Sequence, residues 1–267
     1  MTFKAPSLSP IGVFDSGIGG LSILRALRKE LPLEAFVYFA DSAHAPYGEK
    51  GDAFVIERSL AITSRLVADH HIKALVVACN TATAAAIAIL RAQHPALPII
   101  GVEPALKPAL AASRTKRIAV IGTRGTLASA KFQALLDSVK AQAEFICQPC
   151  DGLAEAIEQH ASFDNTIKIR AICNHMTLTL GKFGLKTGEI DTLVLGCTHY
   201  PLVAKTIAQS VGAEVLILEP GEAVARRLRE VLSGSGQLAP SAPIGNPITL
   251  ESSGAQFTLV QASARWL

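Results

Sequence analysis

Short, almost wholly apolar runs alternate along this chain with longer segments in which apolar residues recur every three or four positions. The short runs read as strands buried on both faces, the longer segments as amphipathic helices. Strands are predicted at 11–14, 35–40, 75–78, 99–102, 118–121, 143–147, 193–195, 215–218 and, in the tail, 257–261. Helices are predicted from Leu21 to Leu31, at 52–70, 83–93, 128–140, from Pro149 through Glu158, at 166–180, after Pro201, and at 223–232. Residues 233–247 are rich in Gly, Pro and Ser and read as a loop. Strands alternating with helices predict an α/β protein with parallel sheets.

The pattern also repeats at long range. Ala74-Leu75-Val76-Val77-Ala78-Cys79-Asn80-Thr81 is echoed by Thr192-Leu193-Val194-Leu195-Gly196-Cys197-Thr198-His199. Glu103-Pro104 is echoed by Glu219-Pro220 at nearly the same interval. Ile11-Gly12-Val13-Phe14 with its Gly-rich turn is echoed by Ile118-Ala119-Val120-Ile121 with a Gly/Thr-rich turn. A period this long predicts two similar domains rather than a solenoid. Pro104 and Pro108 mark the crossing, and the tail is expected to rejoin the first domain, because chain ends tend to lie close together. The division is therefore 1–103 plus 217–267, and 104–216.

Composition narrows the class. Hydrophobic residues are 49% and charged residues 18%, as in a globular domain rather than a disordered one. The formal charge of +3, with basic residues scattered, gives no reason to expect nucleic acid as a partner. No apolar run reaches the length of a membrane span, and Met1 to Pro6 lacks the apolar core of a secretory signal. Five cysteines without such a signal point to a reducing, cytoplasmic setting.

The repeat puts one thiol at the C-terminal end of a strand in each half, where open α/β sheets bind ligands. Just before a helix, a thiol meets free N–H groups and the positive end of the dipole, which favour the thiolate. Asn80 or Thr81 is suited to cap the first of these helices and Thr198 the second. Two equivalent thiols suggest attack on one substrate from opposite sides. His199, two positions after Cys197, and Asp15, at the end of the first strand, are candidates to relay protons. The turn Asp15-Ser16-Gly17-Ile18-Gly19-Gly20 can cradle an anion on its N–H groups. It is no Walker loop, and as a dinucleotide fingerprint its third glycine is misplaced, although Asp41 falls near the ribose-binding position. The CxxC of Cys147 and Cys150 lacks the second pair a zinc site needs, so no metal site is expected. Cys173 reads as a packed helix residue. His44, His70, His71, His94, His160 and His175 read as surface positions. These features leave three classes open: an enzyme that serves one substrate with two thiols, a nicotinamide-dependent oxidoreductase, and a binding module for small carboxylates.

Four motifs then carry a resemblance: Phe14-Asp15-Ser16-Gly17-Ile18-Gly19-Gly20-Leu21, Pro46-Tyr47-Gly48-Glu49-Lys50, Ala78-Cys79-Asn80-Thr81-Ala82, and Leu195-Gly196-Cys197-Thr198-His199-Tyr200-Pro201-Leu202. Together, in this order, they resemble the bacterial glutamate racemase family. The resemblance implies two pseudo-symmetric parallel-sheet α/β domains with the active site between them. It implies interconversion of L- and D-glutamate without a cofactor, supplying D-glutamate for peptidoglycan synthesis, and it leaves a homodimer open. By position it implies Cys79 and Cys197 as the two acid/bases, with Asp15 and His199 assisting them. Asp15, Ser16, Tyr47, Gly48, Asn80, Thr81, Thr198 and His199 would bind substrate. Glu158 matches a weaker family segment, but Asp151 stands where that segment usually has Pro, so Glu158 is given no role. Two thiols, one charged and one neutral, answer the stereochemical problem: a single fixed base tends to return the proton to the face it came from. No lysine sits in a motif suggesting a Schiff base.

Overall fold

The long apolar runs form two all-parallel sheets in the computed structural model, which describes residues 6–161, 164–245 and 247–267. The signal-peptide reading at the N-terminus thus falls almost wholly outside the described residues, as does one position of the 233–247 loop. The strands are β1 (Ile11–Asp15), β2 (Phe36–Ala40), β3 (Ala74–Val77), β4 (Ile99–Gly101), β5 (Arg117–Gly122), β6 (Glu144–Pro149), β7 (Thr192–Gly196), β8 (Leu216–Leu218) and β9 (Ile248–Ser252). The helices are α1 (Leu21–Glu30), α2 (Asp52–His70), α3 (Asn80–Gln93), α4 (Leu106–Ala112), α5 (Arg124–Ala128), α6 (Ala130–Asp137), α7 (Leu153–His160), α8 (Thr166–Leu180), α9 (Ala204–Val211), α10 (Gly221–Gly234) and α11 (Gln256–Trp266).

The first sheet runs β4-β3-β1-β2-β9 and the second β8-β7-β5-β6. With β9 set aside, the second order repeats the first strand for strand: β3 corresponds to β7 and β1 to β5. Every residue of β1, β3 and β7 is buried, because helices cover both sheet faces; the polar exceptions, Asp15 and Thr192, stand at strand ends and are hydrogen-bonded. One apolar cluster runs from Ile11, Val13 and Val76 of the first sheet through to Ala119, Ile121, Leu193 and Leu195 of the second. The strand ends that carry the two cysteine motifs are therefore held in one packed body.

Three sequence expectations need correction. The tail segment 257–261 is not a strand but part of α11, and the tail strand is β9, which pairs with β2. Phe257, Thr258 and Val260 favour a strand locally. Leu259, Ala262 and Trp266 nevertheless share a helical face, and Leu259 and Ala262 are fully buried on it. The helix expected at 128–140 is two helices, because Ser129 is extended and its hydroxyl caps α6 at Phe132 N. His160 is buried rather than at the surface.

Candidate active site

Cys79 ends up capping the helix that follows it. Its sulfur accepts the N–H of Ala82 at 3.5 Å, so α3 starts at Asn80 and neither Asn80 nor Thr81 is the cap. That frees the Asn80 side chain: it is buried, and both its amide atoms lack a partner. A buried, unpaired amide costs free energy unless a ligand completes it. Thr81 faces Thr123 and Thr126 of the second unit at 3.2 and 3.3 Å. Ser16 lies 3.8 Å from the Cys79 sulfur.

Cys197 directly follows β7 and is 6% exposed; Cys79 is 5% exposed. The Cys197 sulfur lies 3.7 Å from His199 Nδ1, and His199 Nε2 lies 2.7 Å from Glu158 Oε2. Thiol, imidazole and carboxylate thus form a line. Burial works against a charged His199, but its contacts with Cys197 and Glu158 win and raise its pKa well above the ordinary value. Both contacts favour the imidazolium form of His199.

The Cys79 side has the opposite electrostatics. Burial, helped by the negative charge of Asp15, pushes the Cys79 thiol up to about 12. Asp15 is itself raised to about 6 by burial, against the pull of the His199 charge and the Gly17 N–H. Its carboxylate accepts Gly17 N at 2.9 Å and, across to the second unit, the Thr198 hydroxyl at 3.0 Å. Thr198 therefore acts as a bridge rather than as a cap. Ser22 reinforces the bridge by donating to the carbonyls of Gly19 and Thr198, 2.8 Å from each.

Glu158, given no role from the sequence, sits at the centre of this interface. Besides His199, it accepts Ile18 N at 3.0 Å and the Ser42 hydroxyl at 3.3 Å. The glycines of the turn make that approach possible. A Cβ on Gly17 would stand 2.4 Å from the Glu158 carboxylate, and one on Gly19 would stand 2.4 Å from His199 Nδ1. The turn thus accommodates an acid and an imidazole of the same chain. The signal available in sequence was the spacing that puts Glu158 on the helix that follows the strand-end Cys150.

Tyr47 and Gly48 lie on the loop between β2 and α2. The Tyr47 hydroxyl donates to Asp41 at 2.5 Å, and the Arg58 guanidinium grips the same carboxylate at 2.8 and 2.9 Å. With His44 also on it, Asp41 has no free oxygen for a ribose. Gly48 packs on Thr123, where an added Cβ would lie 2.7 Å from the threonine Cβ. The loop therefore closes the first unit over the second. Among the described residues no cluster of three or more His, Cys, Asp or Glu is arranged to hold a metal ion, and no helix is long and apolar enough to cross a membrane. All five cysteines are free thiols; Cys147 is half-buried, and Cys150 and Cys173 are packed.

The sequence model of the family described as Asp/Glu/Hydantoin racemase matches residues 21–228. The glutamate racemase of Pseudomonas paraeruginosa is 47% identical over 235 residues, covering 88% of this chain and 86% of that one. Among solved structures, a glutamate racemase isoform from Bacillus anthracis superposes with a TM-score of 0.83 at 32% identity, covering 97% of this chain and 93% of that one. The Escherichia coli glutamate racemase, solved with L-glutamate and the activator UDP-MurNAc-ala, gives a TM-score of 0.82 at 28% identity, covering 96% and 95%.

Proposed function

The chain belongs to the Asp/Glu/Hydantoin racemase family, and from that premise we propose that it interconverts L- and D-glutamate with two cysteine thiols and no cofactor. The observation that carries the reading is the pair of buried thiols on equivalent strand ends, each with its own proton-handling partner. Cys197 has His199 and Glu158; Cys79 has Asp15 and Ser16.

In one direction a thiolate takes the α-proton, so that the Cα–H bond breaks and an S–H bond forms. The opposite thiol then gives its proton to the other face of Cα, its S–H breaking as the new C–H forms. The two sulfurs have exchanged protonation states, and the reverse direction uses them in the opposite order. Cys79 is the neutral partner, held so by burial and by Asp15. Substrate brings an ammonium into this negative surrounding and offsets the Asp15 charge, which lowers the cost of a Cys79 thiolate. His199, beside Cys197, supplies the counter-charge for a thiolate on that side.

The carbanion formed at Cα needs preorganised donors. Ser16, the Asn80 amide and Thr81 provide neutral ones, and the backbone at Tyr47, Gly48 and Thr198 completes the set. The Tyr47 hydroxyl is not available, because Asp41 takes it. Glu158 joins the site as the residue that keeps His199 charged and oriented. The domain division that fits this scheme is 1–103 plus 217–267 against 104–216, with substrate between the two. D-glutamate made in this way would feed peptidoglycan synthesis in the cytoplasm.

The test is direct. Purified protein mixed with either enantiomer of glutamate, with nothing added, should take the optical rotation to zero. Rotation that persists from both enantiomers would overturn the reading.

A further inference from the structure

Two side chains near the end of α11 reach the elements that carry Glu158 and His199. The Arg265 guanidinium donates to the carbonyl of His160, the last residue of α7, at 3.0 Å, and its other nitrogen lies 2.5 Å from His160 Nε2. A cation at the final carbonyl of a helix is held by the negative end of the dipole. Trp266 Nε1 donates to the carbonyl of Leu202 at 3.2 Å, in the turn Tyr200–Val203 that directly follows His199. The two side chains also hold each other, the guanidinium carbon lying 5.1 Å from the centre of the indole ring. The Trp266 ring in turn lies 6.4 Å from that of His160. Thus α11 ties the end of the Glu158 helix to the turn behind His199, while its own strand, β9, is anchored on the first sheet through β2.

We infer that Arg265 and Trp266 are positioning residues: they brace α7 against the turn after Cys197 and so fix the 2.7 Å contact between Glu158 and His199. Neither residue faces the thiols. The brace acts directly on the Cys197 side; it reaches the Cys79 side only through the Ile18 N–H on Glu158 and the Thr198 hydroxyl on Asp15, while Ser16 and Ala82, which contact the Cys79 sulfur, belong to the turn after β1 and to α3. The inference rests on the two-thiol reading and adds to it that the two halves of the site are held by different parts of the chain. An imidazole that shifts by a fraction of an ångström loses its alignment with the thiol, and small misplacements cost large factors in rate.

The test uses a reaction that needs only one base. From 3-chloroglutamate, loss of the α-proton to a thiolate and of chloride from the neighbouring carbon gives an enamine, which hydrolyses to 2-oxoglutarate and ammonia. Cys79→Ser and Cys197→Ser first assign which Cα enantiomer each thiol deprotonates. In Arg265→Gln, elimination from the Cys197-dependent enantiomer should then fall about tenfold. Elimination from the Cys79-dependent enantiomer should stay within about twofold, because the brace reaches that half only indirectly, through Glu158 on Ile18 and Thr198 on Asp15. Trp266→Phe keeps an aromatic ring and deletes the indole N–H together with the five-membered ring. It should show the same one-sided loss, which guards against a variant that merely folds poorly. Equal losses from both enantiomers, or no loss from either, overturn the brace alone. Thiol variants that fail to sort the enantiomers overturn the two-thiol reading and the brace with it.

Discussion

Replacing Glu158 by glutamine isolates one charge in the line from carboxylate to thiol. The amide keeps the size of the side chain and one acceptor for Ile18 N and Ser42, but it loses the negative charge 2.7 Å from His199. A hydrogen bond to a charged group contributes about 1.5–3 kcal/mol, against about 0.5–1.5 for a neutral one. The difference of roughly 1–1.5 kcal/mol corresponds to about one pKa unit. Because Glu158 is one of the groups that raise His199, its loss moves the His199 titration toward acid. The alkaline limb of kcat should therefore shift down by about one pH unit, with a loss of about tenfold beyond it. Polarimetry across pH with each enantiomer reads this directly. Stability carries the same sign. A raised histidine contributes stability that is present below its unfolded pKa of about 6.5 and is lost as pH rises through the folded value. The stability gap between the parent protein and Glu158→Gln should accordingly be widest at acidic to neutral pH and close as pH rises. An alkaline limb that stays in place would refute the assignment of Glu158 to His199.

Three further outcomes follow from the same geometry. Thr198→Val removes the hydroxyl that bridges to Asp15, so the acid limb, set by a carboxyl near 6, should move to higher pH; kcat–pH profiles check it. Asp41→Asn should cost about 3–5 kcal/mol at neutral pH, because it leaves the Arg58 guanidinium unpaired against Tyr47. Although burial opposes it, that carboxylate is held at about 2 by Arg58, Tyr47 and its other partners. Its contribution is therefore present above about pH 4 and lost as pH falls toward 2, which urea melts at several pH values would show. Glutamate should be preferred to aspartate by about tenfold in kcat/KM, the discrimination one fitted methylene gives, and parallel polarimetry on both acids measures it.

Much of this was readable in the chain because it rests on local pattern. The apolar runs that end in Cys79 and Cys197 marked their strands, since a parallel strand buried on both faces is mostly apolar. The echo between them anticipated the matching strand orders of the two sheets. What escaped was set by contacts distant in sequence. Glu158 touches His199, Ile18 and Ser42, none of them near it along the chain. The replacement of Pro by Asp151 upstream, which argued against Glu158, is consistent with its place: Asp151 turns outward to pair with Arg124 at 2.5 Å. The role of Asp41 depended on Arg58, a full turn inside α2. The tail was misread because strand propensity at 257–260 was outweighed by the helical face that Leu259 and Ala262 bury.

The two-thiol claim is tested most directly by following hydrogen at Cα in deuterium oxide. One enantiomer of glutamate is supplied, the reaction is stopped at low conversion, and the two enantiomers are separated and weighed by mass spectrometry. If one sulfur removes the proton and the other delivers a solvent-derived one, the product enantiomer carries one deuterium from the first turnover. The unconverted substrate, whose proton can return only from the thiol that took it, carries almost none. The same result should hold from either enantiomer. Product that retains protium, or deuterium appearing equally in both enantiomers from the start, would mean a single base serving both faces and would contradict the account.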